Sequence, residues 1–228
     1  MSTIVKTLAL SFLAAGALAG GIAHAEATGN VGVTSNYIWR GMPQSGDDAA
    51  ISGGLDYAHA SGLYAGTWTS SIGGGSQYEL DLYAGFAGEV SGFSYDVGAI
   101  NYMYPLDEDA ELDFTEVYGS IGFGPVTASV AYTISKEADV DDENDLYLSV
   151  AANFDLKEDL TLGLLVGSYD LEDDAAEDIT HYQVSLTKSL AGVGDFTFAV
   201  DKASDYADGT TVDEDPRVSV SFSKSFDL

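Results

Sequence analysis

The chain has 228 residues, no cysteine and a formal net charge of −29 at pH 7. That charge excludes nucleic acid as a partner, because a phosphate backbone must be neutralised by Lys and Arg. Without thiols there is no lipoprotein anchor and no disulfide framework, and the length suits one barrel or one large β domain.

Lys6 supplies a positive start, Leu8 to Ala19 an apolar stretch with one serine, and Ala23-His24-Ala25 a small-x-small cleavage site. This predicts a secretory signal peptide over 1–25, too short to span a bilayer, whose removal leaves Glu26 first in a single domain over 26–228. No later segment approaches the length of apolar run that a transmembrane helix needs. That does not argue for a soluble protein, since barrel strands bury only alternate residues in lipid.

From residue 30 onward, about twelve strand-like segments of roughly ten residues alternate apolar and polar side chains. The first sets Val31, Val33, Tyr37 and Trp39 against Asn30, Thr34, Asn36 and Arg40. The third, Leu63 to Ser71, leaves the direction of Tyr64 and Trp68 open. In the fourth, Tyr78, Leu80, Leu82, Ala84 and Phe86 oppose Gln77, Glu79, Asp81 and Tyr83. Val126, Ala128, Val130, Tyr132 and Ile134 mark the apolar face of the seventh, and Leu146, Leu148, Val150 and Phe154 that of the eighth. The last alternates Val218, Val220, Phe222, Phe226 and Leu228 with Ser219, Ser221, Ser223 and Ser225. Period-two alternation gives each strand one apolar and one polar face.

A soluble sandwich would share that alternation, but three features favour a membrane barrel. The polar face is small and hydroxyl-rich, suited to a wet lumen. The end Phe222…Phe226…Leu228 resembles the terminal strand of outer-membrane barrels, with leucine where an aromatic is usual. Lys188, Lys202 and Lys224 lie on apolar faces only at strand ends, where an ammonium can snorkel to the interface. At mid-strand each would cost roughly 2–4 kcal/mol.

The connections alternate too. Short ones fall at 58–61, 87–92, 124–125, 155–159 and 190–194, and long ones near 41–49, 71–77, 105–111, 136–145, 170–178 and 203–217. With an even strand count, both termini and the short turns are expected on the periplasmic side and the long loops outside. More than half of the 37 acidic residues fall in those loops. Such a face is either a solvated, self-repelling surface or a collector of cations, including divalent ions bridging to lipopolysaccharide.

Turning the polar face inward places Arg40, Asp56, Glu79, Asp81, Asp96, Glu116, His181 and Asp201 in the lumen. Carboxylates around a pore concentrate cations and repel anions. The same groups could instead satisfy Arg40 and the tyrosine hydroxyls in a plugged interior, with water or protonation relieving their repulsion. About eight strands are filled by side chains and sixteen leave a channel, so any pore here is expected to be narrow. Inward Gly, Ser, Thr and Ala are expected to keep it open.

Enzymatic chemistry has little to stand on. The mature chain has two histidines, His59 in a short turn and His181 near the loop end of the tenth strand, and no Gly-x-Ser-x-Gly elbow. Asp139, Asp141, Glu143 and Asp145 alternate like ligands but lack the glycine and terminal glutamate of a calcium loop. No cofactor is implied.

The run Asn36-Tyr37-Ile38-Trp39-Arg40-Gly41-Met42-Pro43-Gln44-Ser45 resembles an N-terminal signature of the TorF family of proteobacterial porins. The resemblance continues through Gly53-Gly54-Leu55-Asp56-Tyr57, Gly62 to Trp68, Glu79 to Gly85 and Phe93 to Gly98, and beyond residue 123 survives only as general pattern. It implies an outer-membrane barrel assigned as a porin by architecture, and brings neither catalytic residues nor a substrate. The expectation is an all-β, up-and-down antiparallel transmembrane barrel of about twelve strands, acting as a narrow, cation-preferring porin. Its partners would be outer-membrane lipid, lipopolysaccharide and small solutes or cations; its oligomeric state is not legible. The alternative is a closed barrel whose acidic loops bind divalent ions, lipopolysaccharide or a partner.

Overall fold

Strands with one apolar and one polar face must cover one of the two, and this chain does so by closing a single sheet on itself. The computed structural model describes residues 25–73, 78–106, 112–137, 144–171, 178–204, 207–208, 211–212 and 215–228. The leader expected over 1–25 therefore lies almost wholly outside the described residues, as do most of the acidic loop residues and the alternating acids over 139–143.

Twelve antiparallel strands form the barrel: β1 (Glu26–Thr34), β2 (Ala50–Ala58), β3 (Leu63–Ser71), β4 (Tyr78–Val90), β5 (Phe93–Met103), β6 (Phe114–Phe123), β7 (Val126–Lys136), β8 (Leu146–Lys157), β9 (Leu160–Asp170), β10 (Ile179–Leu190), β11 (Gly194–Ser204) and β12 (Arg217–Asp227). Each pairs with its chain neighbours, and β1 closes the ring on β12 in a register running from Thr28↔Asp227 to Thr34↔Ser221. Two short hairpins stand apart from the wall, Ile38–Trp39 with Met42–Pro43 and Ala207–Asp208 with Thr211–Val212. Among the described residues no element is helical.

The connections explain the pairing. Between β4 and β5, Ser91 and Gly92 both have positive φ (54° and 82°), the two-residue turn whose twist matches the strands it joins. Gly124 (φ 57°) before Pro125 turns β6 into β7 in the same compact way. These tight turns lie at one end of the barrel with both termini; the long connections lie at the other. We call these the turn end and the loop end.

The faces sort as the alternation predicts. Ile51, Leu55, Leu82, Val97, Ile121, Leu148, Val150, Leu164, Val184, Phe198, Val218 and Val220 all point outward and are exposed. Burying one such side chain is worth about 1.5–3 kcal/mol, so a continuous jacket of them is a surface made for an apolar surround. Two of the lysines reach the turn end: Lys188 Nζ meets the Asp159 carboxylate and Lys224 Nζ the Gly192 carbonyl at 3.1 Å.

The first strand departs from its expected course. β1 ends at Thr34, and residues 35–49 fold back into the barrel instead of extending its wall. Trp39, expected on the apolar outer face, packs inside, as does Tyr37 against the inward-facing Trp68. Arg40 lies in the inserted hairpin rather than on a wall strand. The alternation continues through Tyr37-Ile38-Trp39-Arg40 because a hairpin arm has the same period as a wall strand. Its direction is reset by the bend at Ser35 and Asn36.

Candidate functional site

The inserted hairpin is the centre of the interior. Its tip is a two-residue turn, Arg40 (φ 49°) and Gly41 (φ 85°), with Trp39 opposite Met42. A left-handed arginine carries a steric cost that surrounding contacts must offset. Its guanidinium donates through Nη1 and Nη2 to the two carboxylate oxygens of Glu116 at 2.8 and 2.7 Å. It also lies 4.2 Å over the Trp39 ring and 4.4 and 4.7 Å from the rings of Tyr147 and Tyr169. Arg40 and Glu116 are each 1% exposed, so water is excluded from this pair.

The barrel wall is adapted to receive it. Between β6 and β7 the register shifts, pairing Thr115 with Ser135 but Glu116 with Thr133. Such a bulge bends the strand locally, here at the residue that grips the arginine. On the opposite wall His181 backs the turn: a methyl at Gly41 would stand 2.6 Å from His181 Cβ. The base of the insert is tied by Tyr37 N to Ser45 Oγ (2.9 Å), Asn36 Nδ2 to Asp47 Oδ1 (2.7 Å) and Gly73 N to the Gln44 carbonyl (2.8 Å). Trp39 touches both apolar clusters of the interior, one around Tyr64, Tyr83, Ile100 and Tyr102, the other around Tyr147, Tyr169, Ile179 and Ala203. The insert therefore bridges the lumen from wall to wall.

The sequence-predicted carboxylates do face inward, and tyrosines hold most of them. Tyr83 Oη donates to Asp56 Oδ1 at 2.5 Å and Asn30 Nδ2 to its other oxygen at 3.2 Å. Tyr64 Oη donates to Asp96 at 2.7 Å. Glu79 takes Tyr37 Oη on one oxygen (2.7 Å) and Tyr104 Oη on the other (2.9 Å). Asp201 accepts from Gln183 Nε2 at 2.8 Å. Asp81, 4% exposed, has an Oδ1 with no hydrogen-bond partner. His181 Nε2 meets the Tyr147 hydroxyl at 2.7 Å, its Nδ1 has no hydrogen-bond partner, and no triad-like carboxylate partner is seen among the described residues.

Several tyrosines lie flat because a glycine leaves room on the next strand. A methyl at Gly66 would come within 2.5 Å of the Tyr83 ring, and one at Gly98 equally close to Tyr118. The ring covers the backbone that the glycine exposes; the Tyr83 hydroxyl then reaches Asp56, and that of Tyr118 meets the Tyr64 hydroxyl. Tyr37, Tyr64, Tyr102, Tyr104, Tyr118, Tyr147 and Tyr169 are thus site residues that the sequence reading did not single out; Asp145, weighed there only among the alternating loop acids, meets Lys136 (2.8 Å) and the Tyr169 hydroxyl (3.2 Å).

The expectation of an interior kept open by small residues is corrected for the loop-end half, which aromatic rings and the insert occupy. Small and polar residues line the turn-end half, where Thr187 and Thr197 share a hydrogen bond at 2.9 Å and Ser223 and Ser225 follow on β12. At the loop-end mouth a recess of about 450 Å³ opens between Ser35, Asn36, Asp47, Asp215, Arg217 and Val218.

The closed twelve-stranded antiparallel barrel is an architecture shared with solved porin structures. The chain belongs to the family described as "Bacterial protein of unknown function (Gcw_chp)", which matches residues 18–226. No curated protein matches it. Its fold is similar to that of the KdgM porin (TM-score 0.58, 11% identity, 87% of this chain and 99% of that one covered). It is also similar to the NanC porin (TM-score 0.58, 11% identity, 89% and 100% covered). An outer-membrane channel from Pseudomonas putida F1 aligns with a TM-score of 0.50 at 12% identity, covering 90% of this chain and 97% of the other. At such identities the likeness speaks for the fold alone.

Proposed function

We propose that the protein is an outer-membrane channel for ions and small solutes, constricted by the hairpin within residues 35–49. The observation that carries this reading is the inward array of Asp56, Glu79, Asp81, Asp96, Glu116 and Asp201 inside a barrel whose outer surface is apolar. A purely structural barrel has no need of so many enclosed carboxylates, each of which is costly to remove from water. Their excess over Arg40 favours cations in the lumen. On this reading residues 1–25 direct export and are removed, the turn end faces the periplasm, and the acidic loops meet lipopolysaccharide and divalent ions outside. The resemblance to the TorF porins, on the run from Asn36 to Ser45, accords with it.

A second reading has its own observation. Trp39 and Arg40 join both walls, which suits a closed barrel that serves structure or interaction through its loops. Planar-bilayer recording of the refolded 26–228 chain under a potassium chloride gradient separates the two. Discrete steps with a reversal potential toward potassium are expected, with that preference weakened when Glu79, Asp81 and Asp96 are neutralised together. A verified folded barrel that never conducts would leave the closed reading.

A further inference from the structure

Asp81 differs from the other lumen acids. On β4 it pairs with Trp68 of β3 on one side and Tyr102 of β5 on the other. Directly opposed residues place their Cβ atoms about 4.5–5.5 Å apart, so an indole and a phenol ring flank the carboxylate. Asp81 is 4% exposed and its Oδ1 has no hydrogen-bond partner. Glu79, two residues away on the same face and 3% exposed, has both oxygens occupied by Tyr37 and Tyr104. Arg40, held in two bonds by Glu116, is not available to either.

An enclosed carboxylate oxygen without a partner, beside a second carboxylate, calls for a positive charge. We propose that Asp81, with Glu79 beside it and the Trp68 and Tyr102 rings on its flanks, binds one compact monovalent cation inside the lumen. The chemistry is that of a partly hydrated potassium ion or the primary ammonium head of a small solute. Divalent ions fit poorly. They need several charged oxygen ligands to offset a costly dehydration, and no group of three or more acidic or histidine ligands is assembled among the described residues. Aromatic faces, by contrast, attract monovalent and organic cations. The inference rests on the reading of the barrel interior as a lumen that solutes enter, but not on measurable current.

The protein's two tryptophans, Trp39 and Trp68, make the test direct. With Trp39→Phe, Trp68 alone reports on the neighbourhood of Asp81 in the refolded barrel. Titration with potassium chloride or methylammonium chloride should change its fluorescence saturably, while tetraethylammonium chloride at equal ionic strength should not. Asp81→Asn should weaken the response by about tenfold or more, a loss of about 1.4 kcal/mol or more in binding. A stronger response to methylammonium assigns the site to a solute's ammonium head, and a stronger one to potassium assigns it to the ion.

Equal responses to all three salts would overturn the proposal, and that result needs no variant that folds. It would also be overturned by a protonated-carboxyl infrared band, absent from Asp81→Asn, that persists in saturating potassium: the site would then hold a proton. Saturable binding in a barrel that passes no current would sink the channel reading alone. Current without a cation-specific Trp68 response would sink the site alone.

Discussion

Arg40 and Glu116 form a buried pair whose net worth and whose cost of disruption are different quantities. Removing two charges from water offsets much of their attraction, so the pair adds little stability over a well-packed apolar substitute. Breaking one side leaves the other charge uncompensated, at about 3–5 kcal/mol. Glu116→Gln keeps shape and removes the charge, so it should lower the barrel's unfolding free energy in detergent by about that amount. The double variant Arg40→Met with Glu116→Gln should recover most of the loss. A single variant as stable as the wild type would mean that Arg40 finds another carboxylate. A gentler ion pair sits at the turn end. The Lys188 ammonium hydrogen-bonds Asp159 and holds that exposed carboxyl below the usual aspartate range. A depressed carboxyl stabilises the fold above its unfolded pKa and loses that contribution as pH falls through its folded value. NMR titration should place Asp159 below the ordinary 3.8, returning toward it in Lys188→Ala.

The hairpin within 35–49 is an element with its own fastenings: the Asn36, Ser45 and Asp47 bonds at the base and the arginine at the tip. Its removal should leave the wall standing, because β1 and β2 pair directly from Glu26↔Ala58 to Thr34↔Ala50. Replacing residues 36–47 by a short Gly-Ser linker is therefore expected to give a folded barrel with larger unitary conductance in planar bilayers. An unchanged conductance would show that current bypasses the insert. This same element was the least legible in the sequence. The wall strands announced themselves because outward-facing and inward-facing positions differ in polarity along each strand. Trp39 and Tyr37 are apolar for another reason, packing against inward-facing rings of the wall, and polarity alone does not distinguish the two destinations. The available signal was Gly41, a residue type that readily takes a left-handed turn conformation. The carboxylates were legible because an ionised group facing the apolar jacket would be prohibitively costly. Their tyrosine partners were not, since Tyr83 over Gly66 and Tyr64 over Gly85 depend on inter-strand register, which a single strand's pattern does not contain.

For the molecule as a whole, the two unlike ends yield a test of orientation. The chain has no cysteine, so any introduced thiol is the sole target for a maleimide. Asp48 lies at the loop end and Ala60 in the β2–β3 turn, and both are exposed. Intact cells expressing Asp48→Cys should label with a membrane-impermeant maleimide, whereas Ala60→Cys should label only after the outer membrane is permeabilised. The opposite result would reverse the barrel in the membrane.

The seam between β1 and β12 has a consequence for how the chain comes to be. Every other junction in the wall joins neighbours along the sequence, but this one joins Thr28 to Asp227. Until the last strand arrives, the growing sheet has two raw edges whose backbone groups have no partner, and the hydrocarbon of the proposed membrane setting offers none. Folding therefore has a final clasp rather than a gradual finish. Loss of β12 would not yield a slightly smaller barrel but an open sheet with two unpaired edges.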